Sequence, residues 1–271
     1  MYVIFIGTGG GRVNLIKQIR GTGGFRINGS ANVYVDPGPG ALIHSKRFKQ
    51  DPMNVDVIIV THAHIDHCHD APLIIEAMSG YALKKRGILI GSRNVLVGSK
   101  GFDKGISSYH QKKAKKRYVV TPGSTIEFEA KDTPIKLETT KVKHDEPSAF
   151  GFKLGMDGKT IGYTSDSEYF KGFGRFFKSC DLLIANNLKP MHDGIPDHLC
   201  TDGTIKLLRE AKPKRAVIQH LGMRFLRVNP NEEAEKITKE SGVPTIAAWD
   251  GAVIELDEEK KKEKYRKLSE F

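Results

Sequence analysis

The chain has 271 residues, of which 39% are hydrophobic and 28% charged, and 43 Lys and Arg outweigh 32 Asp and Glu to leave a formal net charge of +11. This composition suits a soluble, cytoplasmic globular protein able to bury a proper core, read here as a single domain over 1–271. No apolar run approaches the ~18 residues of a membrane span, and residues 2–6 are too short for a signal-peptide core. Cys68, Cys180 and Cys200 contain no CxxC pair, which speaks against a disulfide framework or a zinc ribbon. The positive balance favours an anionic partner such as nucleic acid, a phosphate ester or an acidic metabolite.

In chain order, residues 2–6 predict a strand and Gly7-Thr8-Gly9-Gly10-Gly11 a tight turn, without the GxGxxG that opens a dinucleotide-binding helix. Residues 12–29 read as irregular; Arg12, Arg20 and Arg26 could clamp an anion, although solvation at the surface accounts for most of them. A strand over 31–36 runs into the stiff turn Pro37-Gly38-Pro39-Gly40, and a short helix over 41–48 leads to a buried, β-branched strand over 55–60. A helix starting at Ala71 and a strand over 87–91 follow. Residues 112–117 are the densest basic run, and the basic stretch 94–117 could serve an anionic partner. A mixed-charge tail covers 257–267.

Strands are expected over 118–120, 125–128, 135–139, 150–154 and 160–164, the last two joined by the hairpin signal Met156-Asp157-Gly158-Lys159. Helical patterns cover 169–179, 201–212 and 231–241, with strands over 182–185, 216–219, 245–249 and 252–256. Strands thus dominate the middle and alternate with helices at both ends. That order fits an α/β fold of two packed sheets with helices outside, a four-layer αβ/βα sandwich.

Chemistry concentrates in Thr61-His62-Ala63-His64-Ile65-Asp66-His67, where the 55–60 strand ends. With His69, this segment holds four of the chain's ten histidines. A packed core has little use for imidazoles clustered so tightly, because each needs its own partner. Alternation in an extended stretch sends His62 and His64 to one side, and Asp66-His67 adds an oxygen and a nitrogen. Zinc, or two metals side by side, takes such donors. Cys68 is read as a space-filling side chain. His144, Asp166 and His220 also stand at strand ends, and each alone has an ordinary explanation as a loop histidine, a helix cap or a core histidine.

Taken with the HxHxDH loop, these residues resemble the metallo-β-lactamase superfamily over nearly the whole chain, from the first strand to Asp250-Gly251. The resemblance implies His62, His64 and His144 around one metal, Asp66, His67 and His220 around a second, and Asp166 bridging both. Phe5-Ile6-Gly7-Thr8-Gly9, Asp36-Pro37-Gly38, Thr164-Ser165-Asp166 and Asp197-His198-Leu199 make the chain most similar to the RNase Z and cyclic-phosphodiesterase branch. In that branch, a histidine in the place of His198 lies beside the metals and donates a proton or binds phosphate. Histidine rather than glutamate at position 64 argues against the di-iron oxygen-reducing relatives. The usual glycine beyond HxHxDH is replaced by His69-Asp70, and the long glycine-rich arm with which RNase Z enzymes grip tRNA is absent.

The implied activity is hydrolysis of a phosphodiester by a hydroxide shared between two divalent ions, zinc first and manganese or iron next. Asp66 would orient that hydroxide and His198 would protonate the leaving group. Hydrolysis of a carbonyl ester (thioester, lactone or lactam) by the same metals is one alternative, and a non-catalytic metal-bound nucleic-acid-binding protein is another. A homo-oligomer, a dimer, is expected.

Overall fold

The computed structural model describes residues 1–191 and 196–257; beyond Asp257, the expected charged tail lies outside the described residues. The first half runs β1 (Tyr2–Phe5), α1 (Gly11–Lys17), β2 (Phe25–Asn28), β3 (Asn32–Val35), α2 (Ala41–Arg47), β4 (Val57–Val60), α3 (Ile65–Cys68), α4 (Ala71–Met78), β5 (Ile88–Ser92), α5 (Arg93–Leu96), α6 (Ser108–Gln111) and β6 (Lys116–Val120). The second runs β7 (Thr125–Ala130), β8 (Thr133–Lys141), β9 (Phe150–Met156), β10 (Lys159–Tyr163), α7 (Phe173–Phe176), β11 (Leu182–Lys189), β12 (Leu199–Cys200), α8 (Thr201–Ala211), β13 (Ala216–Gln219), α9 (Pro230–Ser241), β14 (Thr245–Ala247) and β15 (Val253–Glu255).

One sheet has the order β15-β1-β2-β3-β4-β5-β6 and the other β14-β13-β11-β10-β9-β8-β7, with β12 beside β11. Each begins as an antiparallel meander and becomes parallel, at β3–β4 in the first and at β10–β11 in the second. Side-chain alternation explains the layering. In β4, Val57 and Ile59 face the core between the sheets, whereas Ile58 and Val60 join the core under the helices of the first sheet. In β11, Leu182 and Ile184 meet the first sheet, and Leu183 and Ala185 meet α8 and α9. Burial on both faces accounts for the continuous apolar runs of β4 and β11. The αβ/βα sandwich is therefore present. Asp157 and Gly158 turn the β9–β10 hairpin at φ 53° and 70°, the left-handed pair such a turn requires.

Three expected stretches differ. Residues 12–29 are irregular only in part: 18–24 lie between α1 and β2, two elements not expected there. Val13 and Ile16 are exposed, so α1 has no inward apolar stripe, and β2 carries an arginine in mid-strand. Arg26 is only 2% exposed; it donates to the Asp51 carbonyl at 3.0 Å and lies over the Tyr34 ring, and burial lowers its pKa. The helix expected over 169–179 contracts to α7, because the Glu210 carboxylate takes the amides of Gly172 and Gly174 and the Tyr169 hydroxyl. The strand expected over 245–249 ends at Ala247. Among the described residues, no helix is long and apolar enough to cross a membrane.

Candidate metal centre

The carboxyl ends of β3, β4, β10 and β13 meet where the two sheets open, the place in α/β sheets where loops converge on ligands. Asp36 follows β3, His62 follows β4, Asp166 follows β10 and His220 follows β13. His64 precedes α3, whose single turn carries Asp66 and His67. His144 comes from the loop after β8, and His198 from the approach to β12. All eight residues proposed from sequence as ligands or catalysts thus converge.

They fall into a first group at the His144 end and a second at the His220 end, linked by His62 and His67, whose donor atoms share a further cluster with Asp36. Donor atoms of His62, His64 and His144 lie within 4.8 Å of one another, as do those of Asp66, His67 and His220 and those of Asp166, His198 and His220. Asp166 sits with the second group: its Oδ2 is 3.3 Å from His67 Nε2, 3.4 Å from His220 Nε2 and 3.3 Å from His198 Nε2. His69 turns away to solvent and pairs with Asp70 at 3.1 Å.

Hydrogen bonds set which nitrogen each ring offers inward. Thr61 Oγ1 donates to Asp36 Oδ2 (2.8 Å) and accepts from Ser165 Oγ (2.8 Å), so the 3.1 Å contact from His62 Nδ1 must be N–H donating. His62 Nε2 is left bare, buried and without a partner. His144 Nδ1 donates to the Asp197 carbonyl at 3.1 Å, leaving Nε2 at 3.1 Å from His64 Nδ1. His67 Nδ1 donates to Asp36 Oδ2 at 3.0 Å, and its Nε2 lies 3.2 Å from His220 Nε2. Imidazole nitrogens aimed at one another in this way, with two buried ring nitrogens (His62 Nε2 and His220 Nδ1) left without a partner, are the arrangement a cation would resolve.

Charge agrees. Burial, then the neighbouring His67, pushes His62 well below the ordinary histidine value, so that end offers neutral lone pairs. Burial likewise lowers His144. At the other end, burial opposes charge on Asp66 and Asp166, yet the adjoining histidines hold both carboxyls below the usual range. Burial also opposes charge on His67, but Asp166 and Asp66 raise it well above the ordinary value. The carboxylate end therefore demands positive charge, and the donor set fits divalent metal.

Several contributors are not among the ligands and catalysts proposed from sequence. Asp36 is buried and accepts from Thr61 N, Thr61 Oγ1, His67 and Tyr163 OH. Asn186 Nδ2 donates to Asp166 Oδ1 at 2.6 Å. Asp145 Oδ1 approaches His144 Nε2 at 3.3 Å and His64 Nε2 at 3.5 Å. Asp36, Ser165 and His220 all have positive φ (47°, 55° and 58°), a cost that other residues than glycine bear mostly where packing imposes it. A carboxylate before Pro-Gly was the available signal for Asp36, but a turn explains it equally well.

The glycine turn, Arg20 and Arg26 serve the protein itself, whereas Arg12 is exposed. A Cβ on Gly10 would stand 2.2 Å from His220 Nδ1, so the turn makes room for that ring. Arg20 Nη1 donates to Thr8 Oγ1 (2.9 Å) and the Ala248 carbonyl (3.1 Å), beside Asp250. Neither Arg20 nor Arg26 is a solvated surface group or free to clamp an anion. Cys68 is buried and fills space, as expected.

Residues 31–221 match the model of the β-lactamase superfamily domain. An uncharacterized protein of Methanocaldococcus jannaschii is 37% identical over 94% of both chains. Ribonuclease Z of Thermococcus kodakarensis is 26% identical over 93% of this chain and 94% of that one. Among solved structures, the metallo-β-lactamase fold protein YhfI from Bacillus subtilis superposes with a TM-score of 0.73 at 21% identity, covering 93% of this chain and 98% of that one. The chain belongs to the metallo-β-lactamase superfamily of metal-dependent hydrolases, with RNase Z among its relatives.

Proposed function

We propose that the protein is a phosphodiesterase acting through two divalent ions, zinc by preference, within one domain over 1–271. His62, His64 and His144 would hold one ion, Asp66, His67 and His220 the other, and Asp166 would contact both. Nitrogen donors mixed with carboxylates suit zinc. Bound there, such ions would lower the pKa of a water and offset charge on phosphoryl oxygens.

The observation that carries this reading is His198, a histidine beyond the ligand set, 18% exposed at the mouth and 3.3 Å from Asp166 Oδ2. Its Nδ1 donates to the Pro196 carbonyl at 3.3 Å, which turns Nε2 inward. Burial alone would lower its pKa, but the hydrogen bond to Asp166 raises it. His198 therefore holds a proton at Nε2 for the departing alkoxide as its bond to phosphorus breaks. Asp66 would accept a hydrogen bond from the attacking water and direct its lone pair to phosphorus. The net charge of +11 favours an anionic substrate, and one relative is a ribonuclease Z.

The test is hydrolysis of bis(p-nitrophenyl) phosphate by protein stripped of metal and reloaded with zinc or manganese. Metal-dependent turnover that vanishes in His64→Ala is expected. Failure to cleave the diester while a thioester or lactone is cleaved would overturn the phosphodiesterase reading in favour of carbonyl chemistry.

A further inference from the structure

Opposite the metal centre, two basic segments lie side by side. α4 starts next to the metal loop and points away from it, and its eight residues span about 12 Å. β5 and β6 run parallel to β4, with Ile88 paired to Lys116 at the ends remote from His62. The Arg86 amide donates to the Lys113 carbonyl (3.1 Å) and the Lys115 amide to the Gly87 carbonyl (2.9 Å), which joins the segment after α4 to the basic run before β6. Lys113 Nζ closes the seam on the Ala82 carbonyl at 2.7 Å.

Some cations here are committed. Arg86 pairs with Asp56, as does Lys131. Lys84, Lys85, Lys112 and Lys116 are exposed and form no ion pair among the described residues. The nearby Glu76 is engaged by His110 at 3.2 Å. Charging an edge strand against pairing with another chain would account for Lys116 on β6, but not for lysines on the preceding loops.

Aromatic rings stand among these lysines. Tyr81 is 73% exposed and Tyr109 57% exposed, and Lys113 Nζ sits 4.8 Å from the Tyr109 ring centre. Gly80, Tyr81 and Ala82 are consecutive left-handed residues (φ 62°, 59° and 58°). Two of these are not glycine, and within this turn Tyr81 is exposed while Ala82 is buried. Left-handed non-glycine residues cost energy and cluster at functional surfaces.

We propose that the surface formed by Tyr81, Tyr109, Lys84, Lys85, Lys112 and Lys116 binds single-stranded nucleic acid. Unpaired lysines track the phosphates and displace counterions, and exposed rings stack on bases without regard to sequence. The assignment does not rest on the phosphodiesterase reading, because it concerns binding on the far face.

The experiment is fluorescence anisotropy of the full chain, loaded with zinc, against a fluorescein-labelled oligodeoxythymidylate across a salt series. Replacing Tyr81 and Tyr109 by alanine should weaken binding about 5- to 100-fold per ring with little change in salt slope. The triple change Lys84→Gln, Lys85→Gln and Lys112→Gln should flatten the slope of log K against log salt by about 2. Both variants should keep the thermal melting and the bis(p-nitrophenyl) phosphate turnover of the parent, which separates failure here from failure at the metal centre. Should the alanine variant melt early, Tyr81→Phe with Tyr109→Phe should restore affinity where leucine at both positions does not. Unaltered affinity and slope in both variants would overturn the proposal. So would equal binding of polyglutamate or phosphatidylserine vesicles that depends on the lysines and ignores the tyrosines.

Discussion

Asp36 Oδ2 lies 3.0 Å from His67 Nδ1 and takes hydrogen bonds from Thr61 and Tyr163 as well. A buried carboxylate ringed by donors fixes the tautomer of His67 and, through Thr61, that of His62. Asn at this position would turn an NH2 group toward at least one of those donors. Asp36→Asn is therefore expected to lower metal affinity about 10- to 100-fold, read by competition with a chromophoric chelator. Parental affinity would show that the ring orientations are set elsewhere.

His198→Ala should bind metal like the parent but turn over a phosphodiester about 10²–10⁴-fold more slowly. Its raised pKa also fixes a direction. A general acid works in its protonated form, so activity is full below that pKa and falls as pH rises through it. The falling alkaline limb of kcat/KM should lie above the ordinary histidine value of about 6.5 and disappear in the variant. Loss of metal in step with loss of turnover would make His198 a ligand instead.

Gly10 has an extended backbone (φ −143°) that any residue can adopt, so its constraint is steric. Gly10→Ala would force a methyl group into the His220 ring. Destabilisation of about 1–3 kcal/mol is expected from such overpacking, together with reduced metal content, measured by urea unfolding and elemental analysis. Parental values in both would mean that His220 has room to move.

Burial pushes the Cys68 and Cys180 thiols up to about 12. Since the thiolate is the reacting form, neither should react with Ellman's reagent at neutral pH until the protein unfolds. Rapid labelling of the native protein at either position would contradict the packing around it.

The candidate metal loop was legible because its potential donors are crowded into one strand end, where a local pattern is also a spatial one. His144, Asp166, His198 and His220 are single residues scattered along the second half of the chain. Only resemblance to a family gathered them, since β-sheet pairing brings them together over long separations. Helix α1 and strand β2 were hidden for opposite reasons. Val13 and Ile16 face outward, which removes the helical stripe, and Arg26 is a charged side chain in a buried strand. The expected helix over 169–179 failed through Glu210, a partner forty residues downstream of the stretch's first half that local propensity cannot register.

The proposed metal donors are divided between the sheets: His62, His64, Asp66 and His67 come with the first, and His144, Asp166 and His220 with the second. Synthesis from the amino terminus would therefore deliver half a chelator long before the other half exists. A nascent chain that has emerged only to β6 can hold an ion no better than a short histidine peptide. Tight capture waits until β13 has been made and the sheets have closed. Metal loading would thus follow completion of the sandwich, and the bound ion would act as a late clasp across the two sheets rather than as a seed for either.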